Sequence, residues 1–479
     1  MCMNRSTAER LYQAGMEPTV TKLLELDARV DELNDRIDKL SKNSSNSSKP
    51  PSSDIVKNKK QTRASRRREK KRRAKGGQPG HTRHERELFL PDEVNNLIPH
   101  ELSSCPDCGG VLEKREDVPP RIVEQVKFIE NPLEITHHQG LAYWCEHCKK
   151  YHYAPIPEAV QRAGLLDADV SAMVCWLKYA GSVSLSKIQR LFRDVYGIKV
   201  SRGYLCKVIN KGAQALEQTY NEMLRALQKE RVVNADETGH KNNGGRHWTW
   251  VFRTSLYALF KISPFRASGV IIDVLGKEFN GVLGCDCYSS YIKYMKDFDV
   301  VLQLCLAHLI RDVKAMVDCH DTEVRKYGTR ILDELKNLFH VIHSKEEMSS
   351  DMFVTVLERC KESVIRAATK HVPAHRLARN MANRFRKHGE AYFTFITTPG
   401  MEPTNNCAEQ AIRFVVMYRH SSQGTRSEKG IIACERFFTV VASCLLQGRS
   451  VYEFIKEAFR CYFEGLPAPS LLPAPSAPP

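Results

Sequence analysis

Three carboxylates, Asp236, Asp286 and Glu409, occupy segments from which metal-dependent phosphoryl-transfer chemistry could be run. Hard divalent cations such as Mg2+ or Mn2+ take oxygen ligands, so a site for them is built from Asp and Glu rather than His or Cys. Two such ions about 3.5–4 Å apart can activate an attacking oxygen and stabilise a leaving one. Three converging carboxylates without a cation would repel one another and raise at least one pKa, so the cluster implies a metal. Taken singly, each acid also reads as an ordinary turn or helix-end residue. Their joint order and setting favour the chemical reading.

The largely apolar run Val232-Val233-Asn234-Ala235-Asp236 predicts a buried strand that delivers Asp236 at its end, and Gly281-Val282-Leu283-Gly284-Cys285-Asp286 repeats the arrangement. Glu409 lies in a segment whose apolar spacing predicts a helix opened by Asn405 as cap. Between the first two acids, residues 247–253 and 256–262 read as two strands of a meander, followed by a helix near residues 267–276. Residues 300–305 supply a fifth strand. Three strands, a helix and another strand, with acids on the first and fourth strands, is the pattern of a ribonuclease H-like sheet. Glu237 and Glu402 are the rival carboxylates. On an extended strand Glu237 points to the face opposite Asp236, and Glu402 precedes a proline in a loop. Arg413, one turn after Glu409, reads either as its i,i+4 ion-pair partner or as a phosphate contact. Cys305 and His308 supply two ligands where a structural zinc site needs four, which favours a packing or hydrogen-bonding role beside the acids over metal binding. Contact with the scissile DNA is the alternative for His308.

These residues resemble the transposases of the insertion sequence 66 family, which are DDE-type enzymes. The closest portion is Glu402-Pro403-Thr404-Asn405-Asn406-Cys407-Ala408-Glu409-Gln410-Ala411-Ile412-Arg413, then Gly424-Thr425-Arg426-Ser427, Cys434-Glu435-Arg436-Phe437-Phe438-Thr439 and Gln447-Gly448-Arg449. Asp236-Glu237-Thr238, Asp286 with Tyr288 and Tyr291, and the segment from Cys305 to Arg311 also match. The resemblance implies that Asp236, Asp286 and Glu409 carry the metal ions and that a helical insertion, about residues 314–400, separates the second acid from the third. It implies nicking at the element end to expose a 3′-hydroxyl, which then attacks target DNA. The partners would be terminal inverted repeats and target DNA, and the compartment the bacterial cytoplasm or nucleoid. Gln410 departs from the family, which commonly has Arg there.

Cys105-x2-Cys108 and Cys145-x2-Cys148 supply four thiolates, the ligand set of a tetrahedral structural Zn2+ site. Thirty-six residues separate the pairs, enough for a zinc ribbon with an elongated hairpin. Seventy-two basic against 56 acidic side chains give a formal charge of +16, and the excess is concentrated in residues 57–75. That block includes Arg66, Arg67, Arg68, Lys70, Lys71, Arg72 and Arg73. It cannot bury a core and is expected to be disordered until it meets phosphate. Upstream, Leu23, Leu26, Val30, Leu33, Ile37 and Leu40 trace a coiled-coil seam that would pair protomers into a homo-oligomer, the alternative being one amphipathic helix packed on the same chain. Residues 185–192 and 201–209 read as two helices joined by a Gly197-containing turn, a helix-turn-helix pattern that offers Arg202, Tyr204 and Lys207 to the major groove, with generic helix packing as the alternative.

The expected organisation is therefore multidomain α+β. A coiled-coil helix (1–45) is followed by a basic disordered linker (46–90), a zinc-binding ribbon (91–158) and a helical helix-turn-helix region (159–229). A ribonuclease H-like α/β catalytic core (230–465) carries the helical insertion, and a Pro-rich disordered tail (466–479) follows. No run of about 18 apolar residues predicts a membrane span and no signal peptide is expected. Sixteen cysteines then fit a reducing cytoplasm. A DNA-binding repressor with an inactive transposase-like domain is the alternative function, and a nuclease of branched DNA a third.

Overall fold

The computed structural model describes residues 12–41, 90–99, 107–109, 133–145, 147 and 150–472. The chain divides into two compact units, Met1–Asp54 with His137–Pro479, and Ile55–Thr136. In the smaller unit the described residues form one 3-10 turn, Pro91–Glu93, and a turn containing the exposed Cys108. The larger unit begins with helix α1 (Met16–Ser41). Leu23 of the expected seam is exposed and Leu26 half-buried, while the side chains of Val30, Leu33, Ile37 and Leu40 lie outside the described residues. A short antiparallel pair, β1 (Ala142–Cys145) and β2 (Lys150–Tyr153), follows.

Helices α2 (Glu158–Ala163), α3 (Ala168–Tyr179), α4 (Leu185–Asp194), α5 (Arg202–Ala215) and α6 (Glu217–Leu227) lie between β2 and the larger sheet. Asp167, Ser184 and Ser201 cap α3, α4 and α5 by accepting from backbone N–H groups one turn on. The sheet comprises β3 (Val232–Asn242), β4 (Gly245–Arg253), β5 (Ala258–Ser263), β6 (Val282–Cys285) and β7 (Val301–Leu304), with α7 (Ser268–Leu275) and α8 (Ser289–Phe298) between strands. Its order is β5-β4-β3-β6-β7. The first three strands form an antiparallel meander, and β6 and β7 add in parallel. Helices α9 (Leu306–Val317), α10 (Thr322–His343), α11 (Ser350–Thr369) and α12 (Arg376–His388) follow β7. The last three are α13 (Asn406–Ser422), α14 (Glu428–Leu446) and α15 (Val451–Glu464).

Strand β3 does not end at Asp236 as expected. It runs six residues further, because Asn243 and Gly244 both take positive φ, 48° and 80°, and close a two-residue hairpin onto β4. Asn-Gly is the sequence signal for that turn. Asp236 therefore lies inside β3, just beyond the last residue paired with β6.

Strand β5 is a sheet edge, and α14 covers it with a regular set of side chains. The N–H groups of Ala258, Phe260 and Ile262 donate to Ser443 Oγ (3.1 Å), Thr439 Oγ1 (3.0 Å) and Glu435 Oε1 (2.7 Å). Four helical residues rise about 6.0 Å and two strand residues about 6.8 Å, so side chains at i, i+4 and i+8 match alternate strand donors. Thr439→Val keeps the shape but leaves a buried Phe260 N–H without its acceptor. It should cost about 1–3 kcal/mol in urea unfolding; a variant as stable as wild type would refute the capping role.

Residues 466–472, expected to belong to a disordered tail, instead lie against the helices. Leu471 is fully buried, and Thr219 and Gln447 donate to the carbonyls of Pro469 and Leu471. One apolar anchor and paired backbone carbonyls outweigh the Pro-rich composition there.

Candidate active site

The parallel register of β3 and β6 pairs Val232 with Val282, Val233 with Leu283 and Asn234 with Gly284. Continued by two residues, it brings Asp236 beside Asp286, the first residue past β6. Asp236 Oδ1 accepts from Glu237 N at 2.9 Å and Asp286 Oδ1 from Tyr288 N at 3.0 Å. Both carboxyls are pushed toward the neutral form. Burial, followed by the charges of Glu237 and Asp286, raises Asp236 well above the ordinary carboxylate range. Burial and the Glu237 charge raise Asp286 to about 7, against lowering by the Tyr288 N–H and Arg266. Two desolvated, mutually repelling carboxyls form an oxygen donor set that a hard cation would stabilise.

Glu237, next to Asp236 on β3, has partners of its own, and its charge reaches both aspartates. Arg266 Nε and Nη2 donate to Glu237 Oε1 at 2.8 and 2.5 Å, and Tyr291 Oη donates to Oε2 at 2.6 Å. Arg266 is in turn stacked on Tyr288, 3.8 Å from the ring centre. Glu402 is exposed in the loop before α13.

Glu409 sits in the first turn of α13. Asn405 occupies the cap position without capping through its side chain. The amide instead donates to Ala235 O (2.7 Å) and accepts from Asn234 Nδ2 (3.0 Å), while Asn405 N donates to Cys305 Sγ (3.1 Å). Those bonds tie the start of α13 to β3 and to the start of α9. Arg253 adds a guanidinium bond to Cys407 O. The approach is close enough that a Cβ on Gly284 would collide with the Asn234 amide.

The carboxylate of Glu409 pairs with Arg311, not with Arg413. Arg311 Nη2 to Glu409 Oε1 is 2.9 Å, and His308 Nδ1 lies 3.6 Å from the same oxygen. Cys305, His308 and Arg311 are spaced by three on α9 and share a face. The ligand atoms of Cys305, His308 and Glu409 lie within 4.8 Å of one another, the one such group among the described residues. Arg311, which contacts both His308 and Glu409, already supplies a positive charge there. Burial and Arg311 also lower the His308 pKa, so His308 acts as a neutral neighbour. The Glu409 carboxylate is close enough for its charge to add to the raising of Asp236.

A family model described as Transposase IS66 family matches residues 163–433. The chain belongs to that family. A second model, for a family of unknown function, matches residues 5–87. Two uncharacterized proteins of Sinorhizobium fredii are similar. Protein y4qI is 22% identical over 346 residues, covering 65% of this chain and 62% of the relative. Protein y4hP is 20% identical over 400 residues, covering 74% and 70%. The chain thus spans less than two thirds of the length of y4qI.

In this member of the IS66 transposase family, several of the segments that carry the resemblance have structural duties. Gly424 (φ 99°) and Thr425 lie along the far half of β3: Thr425 N donates to Lys241 O and Asn243 N to Thr425 O, at 2.9 and 2.8 Å. A Cβ at Gly424 would strike the Lys241 carbonyl. His240, held neutral by burial that lowers its pKa to about 4, sits 3.1 Å from Thr425 Oγ1. Ser427 caps α14, and Glu435 and Thr439 belong to the edge-strand seal.

The expected DNA contacts are distributed differently. Arg202 and Lys207 are exposed on α5, while the Tyr204 hydroxyl accepts from Leu166 N at 3.2 Å and faces the protein. Arg413 is exposed on α13. Arg66, Arg67, Arg68, Lys70, Lys71, Arg72 and Arg73 lie outside the described residues, as do Cys105 and Cys148; Cys145 ends β1. Sequence reading gave Arg311 and Asn405 no such roles, although Arg311 continues the three-residue spacing of Cys305 and His308. No helix among the described residues is long and apolar enough to cross a membrane.

Proposed function

We propose that the chain is a DNA transposase in which Asp236, Asp286 and Glu409 hold divalent cations for cutting element ends and joining them to target DNA. The reading is carried by the adjacency of Asp236 and Asp286, two desolvated carboxyls at neighbouring positions of parallel strands. Strand order β5-β4-β3-β6-β7, with the meander first and the parallel strands after it, supports a ribonuclease H-like core. Bound Mg2+ or Mn2+ would supply Lewis-acid stabilisation of the oxygens that attack and leave. The protein's part is to desolvate and orient the carboxylates. Asn405 sets where the first turn of α13 begins, and Arg266 with Tyr291 fixes Glu237, whose charge reaches both aspartates. Exposed Arg202 and Lys207 on α5, after the Gly197 turn, support DNA reading by a helix-turn-helix.

A second reading, a DNA-binding repressor with an inactive catalytic domain, is favoured by one observation: Glu409 is neutralised by Arg311. Joining of a labelled element end to plasmid DNA in Mg2+ separates the two. Wild type should join and Glu409→Gln should bind the end yet fail to join. Binding without joining by wild type, under conditions in which a related transposase joins its own end, would favour the repressor. Equal joining by both proteins would remove Glu409 from the site.

A further inference from the structure

A surface groove of about 610 Å³ lies between α8 and α12. Its lining includes Cys287 and Ser289, one and three residues beyond Asp286 in the chain. Its walls carry Lys293 and Lys296 from α8 and Asn380, Asn383, Lys387 and His388 from α12. Residues 380, 383 and 387 share one face of α12 by helical spacing, so two amides and an ammonium are presented in line.

The charges in the groove are unbalanced. Lys293 is paired with Asp297 at 2.7 Å, and Arg384, at the base, with Asp312 at 2.8 Å. Lys296 and Lys387 form no ion pair among the described residues. They line the groove from different helices, and both lie near enough to His388 for their charges, after burial, to lower its pKa. Bringing like charges together across a groove is unfavourable unless an anion lies between them. A polyanion fits better than a single small anion, because the unpaired ammonium groups come from two different helices and the Asn380 and Asn383 amides line the same groove.

We infer that the α8–α12 groove holds the phosphodiester backbone of the DNA strand that continues from the phosphate at Asp236 and Asp286. The inference rests on the phosphoryl-transfer reading and adds the path of the strand. Contacts of this kind position DNA without reading its sequence.

The test is the salt dependence of binding by the full chain to a duplex carrying the terminal sequence of the encoding element. Wild type, Lys296→Ala/Lys387→Ala and a control, Lys326→Ala/Lys336→Ala on α10, are compared by fluorescence anisotropy. Losing two phosphate contacts should lower the slope of log K against log[salt] by about 1.4–1.8, with a melting temperature no lower than that of wild type, while the control keeps the wild-type slope. Repeating the measurement with DNA trimmed to the scissile position, from one side and then the other, should abolish the difference for one of the two trims. An unchanged slope in the groove variant would overturn the inference. So would a difference that survives both trims, since the contact would then belong to a second DNA molecule. If wild type neither binds nor joins end DNA, the transposase reading fails and the groove with it, a result distinct from normal joining with an unaltered slope.

Discussion

Asp236→Asn and Asp286→Asn should each lower Mg2+-dependent joining by about 10³-fold or more while leaving the protein folded and, without added metal, more heat-stable than wild type at neutral pH. The activity loss follows from removing a cation ligand whose contribution to charge stabilisation is several kcal/mol. The gain in stability follows from the carboxyls themselves. Both are held in a desolvated pair that disfavours ionisation, and an amide of the same shape has no charge to desolvate. For Asp286 the folded pKa is about 7, raised from an ordinary 3.8. Between those values the folded state binds more protons than the unfolded state, so stability falls as pH rises from about 4 to about 7 and levels off above. Asp286→Asn should flatten part of that fall, leaving the share due to Asp236. Melting temperatures taken across this range, with and without Mg2+, provide the check. Mg2+ should raise the wild-type melting temperature by binding the folded state and have much less effect on either variant. Wild-type joining by either variant, or equal Mg2+ stabilisation of all three proteins, would exclude the pair as a cation site.

The second large effect is expected at a residue that touches no substrate. Asn405→Ala removes the donor to Ala235 O and the acceptor for Asn234, leaving two buried polar groups unpaired. At about 1–3 kcal/mol for each orphaned group, partly relieved by relaxation, the loss should be about 2–4 kcal/mol in urea unfolding. Joining should fall as well, by about 10–10²-fold at a temperature where the variant is folded, because the first turn of α13 is no longer fastened to β3 and an ångström of displacement matters at a reacting centre. Gly284→Ala attacks the same junction from the other side by forcing the Asn234 amide to move, and should reproduce both effects. A variant that is destabilised yet joins at the wild-type rate would reduce Asn405 to a purely structural role.

The hydrophobic alternation and length of the runs at 232–236, 281–286 and 300–305 were enough to place β3, β6 and β7, and the periodicity of residues 185–209 predicted α4, the turn and α5. Such features depend on contacts between residues a few positions apart, which a pattern along the chain records directly. The same kind of signal, Asn243-Gly244, was present for the hairpin that carries β3 past Asp236, but the apolar run stops at Asp236 and drew the boundary there. Acids beside apolar strands likewise marked Asp236 and Asp286 as candidates. What local pattern could not contain is the choice of partner across the fold. Glu409 has Arg413 one turn away, yet it pairs with Arg311, 98 positions distant. Asn405 has the sequence of a helix cap and serves as a bond between helix and sheet. Glu435, Thr439 and Ser443 look like polar positions interrupting an apolar helix until β5 is laid against them. In each case several partners were chemically adequate, and the packing of helices on the sheet decided which one came within hydrogen-bond distance.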